Sequence, residues 1–394
     1  MLLVVSNGHA EDAIGARLLQ ELGVPFSYFP LVGPGNAYQG LRFGVRYGPL
    51  WEPPSGGFPF AGFKNLAADL RAGLIRHTVA QLMAAWRAQR QAYKAVVAVG
   101  DAYSLLLAAL ASSGGRTPLF HLQPLISAYY LWPEGEMRPI PWFERLRRLN
   151  EIPAEDFTAF ERALSAKAQA VYVRDAFTLK RARQLGMKNA RHHGSFAMDL
   201  LPPPKALLPL EGPLVALLPG SRADVGYSLP LMLKAAALLA PWPAAVAWAK
   251  RFEDLPRAVR NRTAIQSEQF AWYRPEGAPP VLLARKHFSE ILHAARVVVG
   301  TAGTANEQAA GLGRPVVGFP TPGPQYTRRF AERQKRLLGE ALTLVEPDPK
   351  AVAEAVQRLW EEGPERRRAI EAGRERIGPP GALPQIAKEI AEVL

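Results

Sequence analysis

Residues 297–322, VVVGTAGTANEQAAGLGRPVVGFPTP, put glycines, hydroxyls and a carboxylate where a strand should hand over to a helix. Val297–Val299 reads as a buried strand and Gly300–Thr304 as a small-residue loop. A short helix with Glu307 in its first turn follows, then a second strand at Val316–Phe319. Such a loop is an anion cradle. Glycines such as Gly303 let the backbone approach a ligand, Thr301 and Thr304 supply hydroxyls, and the helix N-terminus presents N–H groups and a positive dipole end. A carboxylate beside a phosphate is repelled, so Glu307 suits a ribose hydroxyl better. The plainer reading is a tight connection in a doubly wound sheet, with Glu307 merely favourable to the helix dipole.

Three further strand ends carry comparable chemistry. Leu214–Leu218 runs into Pro219-Gly220-Ser221-Arg222, where Gly220 permits a tight turn, Ser221 can donate and Arg222 can clamp a phosphate with two parallel hydrogen bonds. An ordinary turn with an exposed arginine is the alternative. The first strand ends in Ser6-Asn7-Gly8-His9-Ala10-Glu11-Asp12, with His9 at the loop tip, where an imidazole can act as general base near neutral pH; the plainer reading is an exposed loop histidine or an N-cap substitute. Asp101 follows Val96–Gly100 in the same way, as a base or an orienting group for a histidine, as the N-cap of the next helix, or as both. Gln325 opens a basic helix one strand beyond the cradle, where its amide could hold sugar hydroxyls or cap the helix. The backbone of Arg285–Leu292 could hydrogen-bond a nucleobase. His192 and His193 are adjacent and point apart on a strand, and no carboxylate cluster joins them, so no metal site is expected.

An alternating β-α-β rhythm must position these loops. Strands are expected at Leu2–Val5, Pro25–Phe29, Val96–Val99, Pro118–Leu122 and Ala170–Val173, with helices at Asp12–Leu22, Leu66–Gln91, Tyr103–Ser112 and Ala176–Leu185. Pro202–Pro204 and Gly212-Pro213 break the pattern. It restarts with strands at Leu214–Leu218, Ala244–Trp248, Val281–Ala284, Val297–Val299, Val316–Phe319 and Leu342–Val345. The fold class is therefore α/β, with two doubly wound parallel-sheet halves and a last helix (Leu383–Leu394) after Gly378-Pro379-Pro380-Gly381. Residues 33–62, rich in Gly, Pro and aromatics, have little periodicity and read as a long loop that is either functional or disordered.

Composition narrows the function classes. The chain of 394 residues has no cysteine, which removes disulfides and thiolate metal sites. MLLVVSNGHAED reads as a first strand rather than a signal peptide, and no apolar run is long enough to span a bilayer, so a cytoplasmic protein is expected. The formal charge of +13 points to polyanions: phosphorylated substrates, an anionic bilayer surface or nucleic acid. No zinc finger, RNP-like strand or basic tail appears, so nucleic acid is the weakest of these. Two basic clusters, Trp142, Phe143, Arg145, Arg147 and Arg148, and Arg328, Arg329, Arg333, Lys335 and Arg336, are solvated helix faces or membrane-surface patches. The first, with Tyr129, Tyr130, Leu131 and Trp132 upstream, suits the membrane.

Taken in order, SNGHAED, HHGSFAMDLL, LLPGSR and GTAGTANEQ resemble the GT-B glycosyltransferases, and among them bacterial lipid-A-disaccharide synthase and its relatives. The resemblance covers most of the chain and is more specific in the second half. It implies two Rossmann-like domains facing a central cleft: an acceptor domain at 1–203, a nucleotide-sugar domain at 204–378, and a C-terminal helix at 379–394 that packs back on the first. It implies inverting transfer from a UDP-sugar, GlcNAc-type, to a lipid-linked or membrane-surface acceptor, with no metal or other cofactor. The implied donor residues are Gly220, Ser221 and Arg222 at the diphosphate, Gly303 and Thr304 at the phosphates, Glu307 at the ribose, and Gln325. Asn7, Gly8 and Asp12 would form the acceptor loop, with His9 or Asp101 as base. The first loop departs from the synthase pattern G-E-x-S-G-D, and its Gly-His pair is closer to the peptidoglycan GlcNAc transferase. Peripheral contact with an anionic membrane is expected and nucleic-acid binding is not. The rivals are a UDP-sugar 2-epimerase of the same fold and a non-catalytic nucleotide-sugar-binding protein.

Overall fold

The computed structural model describes residues 1–54, 56, 63–141, 143, 155–220 and 223–394, without the side chains of 63–65. The chain divides into two units: Met1–Leu131 with Met137–Leu200 and Pro380–Leu394, and Trp132–Glu136 with Leu201–Pro379. The divisions fall at 200/201 and 379/380, against the expected 203/204 and 378/379.

The first unit is built on strands β1 (Leu2–Ser6), β2 (Phe26–Pro30), β3 (Gly44–Arg46), β4 (Ala95–Val99), β5 (Leu119–Gln123), β6 (Ala170–Val173) and β7 (Ala190–Arg191). They pair in parallel in the order β3-β2-β1-β4-β5-β6-β7. Short runs such as LLVVS and AVVAV form these strands because both faces are covered, so every position can be apolar. Successive residues then feed opposite cores: Leu3, Val5, Val96 and Ala98 pack on one face, Leu2, Val4, Val97 and Val99 on the other. The second core also takes Leu383, Ile386 and Ile390 of the terminal helix Ala382–Ala391. Asp199 receives the backbone N–H groups of Gly381 (2.5 Å) and Leu383 (2.7 Å) at that helix's start.

The second unit repeats the plan with β8 (Leu214–Leu218), β9 (Ala244–Trp248), β10 (Thr263–Ile265), β11 (Phe270–Tyr273), β12 (Val281–Arg285), β13 (Ala295–Gly300), β14 (Val316–Gly318) and β15 (Leu342–Leu344). The order is β10-β11-β12-β9-β8-β13-β14-β15, with β10-β11-β12 antiparallel and the rest parallel. In each unit the first strand is central and strand order reverses beside it, at β1/β4 and at β8/β13. The partners end level, Ser6 opposite Val99 and Leu218 opposite Gly300. Loops leaving the carboxyl ends at such a point form the usual ligand site of open α/β sheets.

The structure departs from the sequence reading in a few places. The expected helix Leu66–Gln91 is two helices, Phe63–Arg71 and Leu74–Ala88, interrupted at Ala72-Gly73. The edge elements β3, β7 and the β10-β11 pair were not expected. They are only two to four residues long and partly exposed, so they carry no buried apolar run.

Candidate functional site

At the reversal point of the second unit, Thr301 N–H donates to Leu218 O (3.0 Å), tying the loop after β13 to the end of β8. Gly220 turns the β8 loop in the left-handed region, at φ 78. Ser221 and Arg222 lie outside the described residues. The helix after the cradle spans Gly303–Gly311, with Ala302 as N-cap and no side chain capping it. Glu307 is therefore its fifth residue and lies in the second turn, not the first. Thr304 at the second position is exposed, and Glu307 is half-buried. Thr301 is buried, and its hydroxyl oxygen has no hydrogen-bond partner. An orphaned buried hydroxyl beside an uncapped helix N-terminus is a cost the fold accepts where a ligand supplies the missing bond.

The cradle is braced by residues the sequence reading did not single out. Asn306, fully buried, donates to Gly300 O (3.2 Å) and to Gln334 Oε1 (2.9 Å). Tyr326 OH donates to the same Gln334 oxygen (2.7 Å), and Gln334 Nε2 holds the carbonyls of Ala302 (3.2 Å) and Gly303 (2.9 Å). A Cβ at Gly300 would collide with Asn306 Oδ1, so glycine is required there by close approach. Asp224, also buried, accepts from Thr321 Oγ1 (2.5 Å) and from the backbone N–H of Gln325 (3.2 Å) and Tyr326 (2.6 Å). It pins the loop after β14 to the start of helix Val225–Ala237. Gln325 is held there by its backbone, leaving its side chain exposed. Farther along the same sheet edge, Lys286 adopts the left-handed backbone (φ 63) and His287 stacks on Phe270 with ring centroids 4.7 Å apart.

The first unit's reversal point has a different chemistry. Asn7 N–H donates to Val99 O (3.2 Å), joining the loops after β1 and β4, and Asn7 Oδ1 is buried without a partner. Gly8 adopts φ 123, and a Cβ there would lie 2.7 Å from Val32 O. His9 follows at φ 48, an unusual conformation for a residue with a side chain, and stands exposed as the first residue of helix His9–Leu22. Asp12 is buried. It accepts from Ser6 Oγ (2.6 Å), which in turn accepts from Tyr38 OH (2.9 Å). Burial pushes Asp12 up to about 6, against the pull of hydrogen bonds from the Ser6 hydroxyl and the His9 backbone.

Glu11, unassigned in the sequence reading, lies half-buried in the first turn of helix His9–Leu22. Burial pushes it up to about 7, and the charges of Asp101 and Asp12 add to the rise. Asp101 caps helix Ala102–Ala111, accepting from Tyr103 N–H (2.9 Å) and Ser104 N–H (3.2 Å), so the capping alternative holds. One strand over, His121 is buried with Nε2 on Gly100 O (3.0 Å), and burial pulls it down to about 4. The signal for Glu11 was present in SNGHAED as a carboxylate in the first turn, but its neighbour Asp101 is ninety positions along the chain.

Some expectations fail. Tyr129, Tyr130, Leu131 and Trp132 are buried and offer no membrane patch. Of the cluster upstream of 150, Trp142, Arg145, Arg147 and Arg148 lie outside the described residues, while Phe143 is exposed. In the second cluster Arg328 pairs with Glu346 (2.7 Å), and Lys335 bonds the carbonyls of Gly339 (3.0 Å) and Leu342 (2.6 Å). Arg328 and Arg329 are exposed, as a solvated helix face requires, while the Lys335 ammonium is turned onto the backbone. Among the described residues no helix is long and apolar enough to cross a membrane.

Two Rossmann-like units with parallel sheets of this order define the GT-B fold. Solved structures of that architecture match the chain over its whole length. CalG4, the calicheamicin glycosyltransferase, aligns at 17% identity over 100% of this chain and 98% of its own, with a TM-score of 0.63. MurG of Acinetobacter baumannii aligns at 14% over 99% of both, with a TM-score of 0.56. The UDP-GlcNAc 2-epimerase of Neisseria meningitidis, solved with UDP-GlcNAc bound, aligns at 15% over 100% and 99%, with a TM-score of 0.54. No protein-family model and no curated protein matches the chain.

Proposed function

We propose that the protein is a UDP-sugar-dependent, inverting glycosyltransferase related to lipid-A-disaccharide synthase, moving a GlcNAc-type sugar to a lipid-linked acceptor without a metal. The observation that carries this reading is the orphaned Thr301 hydroxyl beside the uncapped N-terminus of helix Gly303–Gly311. The neighbours with UDP-sugar names, one of them holding UDP-GlcNAc, support the donor class. In this reading the second unit holds the donor. The amides at Gly303 and Thr304, together with Arg222, stabilise the departing UDP electrostatically, and Glu307 and Gln325 hold sugar hydroxyls. The first unit provides the base. An acceptor hydroxyl gives its proton to Glu11, His9 or Asp101 as its oxygen bonds the anomeric carbon, and the bond from that carbon to the diphosphate oxygen breaks.

A second reading is a UDP-sugar 2-epimerase. It needs extra acid–base carboxylates, and the Glu11, Asp12 and Asp101 group with its raised Glu11 supplies them. The test is a thermal-shift panel of UDP-, GDP-, TDP- and CMP-sugars followed by product analysis. A response selective for UDP-sugars and lost in Glu307→Ala is expected, with sugar transferred to a membrane-lipid extract. Recovery of an epimerised UDP-sugar would select the second reading, and silence towards every nucleotide would remove both.

A further inference from the structure

The N–H groups of Gly303 and Thr304 open helix Gly303–Gly311, where a helix offers them no intrahelical acceptor. Each belongs to a planar trans peptide whose carbonyl, that of Ala302 or of Gly303, points the opposite way. Gln334 Nε2 bonds those two carbonyls, at 3.2 Å and 2.9 Å. One side-chain amide therefore holds the rear ends of the two peptides whose front ends open the helix. Satisfying the carbonyls does not demand it. In a helix they already accept the N–H groups four residues on, so the bonds from Gln334 are second ones.

Gln334 is itself oriented. Its Oε1 accepts from Tyr326 OH (2.7 Å) and Asn306 Nδ2 (2.9 Å), which turns Nε2 to the carbonyls. All three side chains are buried, and burial pushes the Tyr326 phenol up, so it stays protonated as a donor. Two glycines make the room. A Cβ at Gly318 would lie 3.1 Å from Tyr326 OH, and one at Gly300 would lie 1.9 Å from Asn306 Oδ1. We propose that Gln334 is a positioning residue that aims and polarises the Gly303 and Thr304 amides towards the diphosphate of the donor. The chain runs from Tyr326 OH to Gln334, from Gln334 to the two peptides, and from their N–H groups to the anion. A bond accepted by a peptide oxygen makes the N–H of that peptide a stronger donor, and successive bonds in a buried chain reinforce one another. The inference rests on the donor site proposed above and deepens it: affinity for the phosphates, as distinct from the nucleoside, is set by a side chain behind the loop.

Titrations with UDP and with uridine separate this role from plain packing, since only UDP carries the phosphates. Gln334→Met keeps much of the volume and removes both bonds. It should bind UDP about tenfold more weakly and uridine within about twofold of wild type. Tyr326→Phe removes only the donor behind Gln334 and should weaken UDP about threefold, again sparing uridine. Thermal melts establish that each variant folds, and Tyr326→Phe stands alone if Gln334→Met does not. Equal losses for UDP and uridine, or unchanged UDP affinity in the folded variants, overturn the inference and leave the donor site in place. Inorganic pyrophosphate covers the other failure. If wild type binds pyrophosphate but not UDP, the nucleotide reading is gone, and the same loss in Gln334→Met is still expected, now for pyrophosphate. If wild type binds neither, the loop holds no such anion and both readings fall.

Discussion

The two sheet-reversal points are built alike and filled differently. Each joins a β-strand, a glycine-bearing loop and a helix to a second loop from the neighbouring strand, with the strand ends level. In the first unit the loops bring together Glu11, Asp12, Asp101, His9 and, one strand away, His121. In the second the corresponding space is lined by backbone amides and hydroxyls and braced by the neutral side chains of Asn306, Tyr326 and Gln334. Among the described residues there, the buried carboxylate of Asp224 is spent on three hydrogen-bond donors. Titrating groups whose environments spread their proton affinities suit proton transfer, and fixed dipoles with an orphaned hydroxyl suit binding an anion. The same topology thus carries two chemically different sets of side chains, and the proposed division of labour rests on that difference.

The sharpest way to break that division is at Glu11. Glu11→Gln should lower turnover by about 10²–10⁴-fold while leaving UDP-sugar affinity nearly unchanged. Wild-type turnover should rise with pH through about 7 as this carboxyl ionises, and the variant should lose that limb. Asp101→Asn sharpens the point, since removing a charge that raises Glu11 should move the limb to lower pH. Should Glu11→Gln weaken UDP-sugar binding instead, measured by calorimetry, the assignment of proton chemistry to the first unit is wrong.

The next effect belongs to the second unit. Asp224→Ala strips the acceptor from the Thr321 hydroxyl and from the N–H groups of Gln325 and Tyr326. Leaving buried donors unpaired should cost about 2–3 kcal/mol of stability in denaturant unfolding. It should also free the loop that presents Gln325, so UDP-sugar affinity falls while the pH limb of turnover keeps its position. A shifted limb with intact affinity would contradict the comparison.

Much of this was legible in the sequence for a simple reason. Runs such as LVALL and ARVVVG can be buried on both faces, and the polar residues directly after them must lie at the sheet's carboxyl edge. That places His9, Asp101, Gly220 and the 300–304 loop without any long-range knowledge. The braces were not legible, because they arise from pairing across distance, Asn306 with Gln334 and Asp224 with Tyr326, and neither was the nearness of two like charges, Glu11 and Asp101. The long helix read across 66–91 merged two, since apolar periodicity continues on both sides of Gly73. Tyr129–Trp132 suit a membrane patch by residue type but are buried, and composition cannot distinguish the two. Ile75, Val79, Met83 and Trp86 are apolar too yet exposed, and only packing tells which side faces out.

The smallest effect tests whether burial really controls the first unit's carboxyls. Glu161 is buried, accepts a hydrogen bond from Gln123 Nε2 (2.6 Å), and is pushed up to about 7, chiefly by burial, with the Asp101 and Asp156 charges adding. In the unfolded chain it returns to its ordinary value near 4.5. Between those two values the folded state holds a proton that the unfolded state has released, so this group's contribution to stability is complete below pH 4.5 and declines as pH rises through about 7. Glu161→Gln cannot ionise and lacks that decline. Relative to the variant, wild type should therefore lose about 1–2 kcal/mol between pH 5 and pH 8 in urea unfolding, a difference set by the proton and not by the lost contact. An offset between the two proteins that is the same at both pH values would mean that Glu161 is already ionised at pH 5. The low dielectric inferred around Glu11 would then lose its nearest independent support.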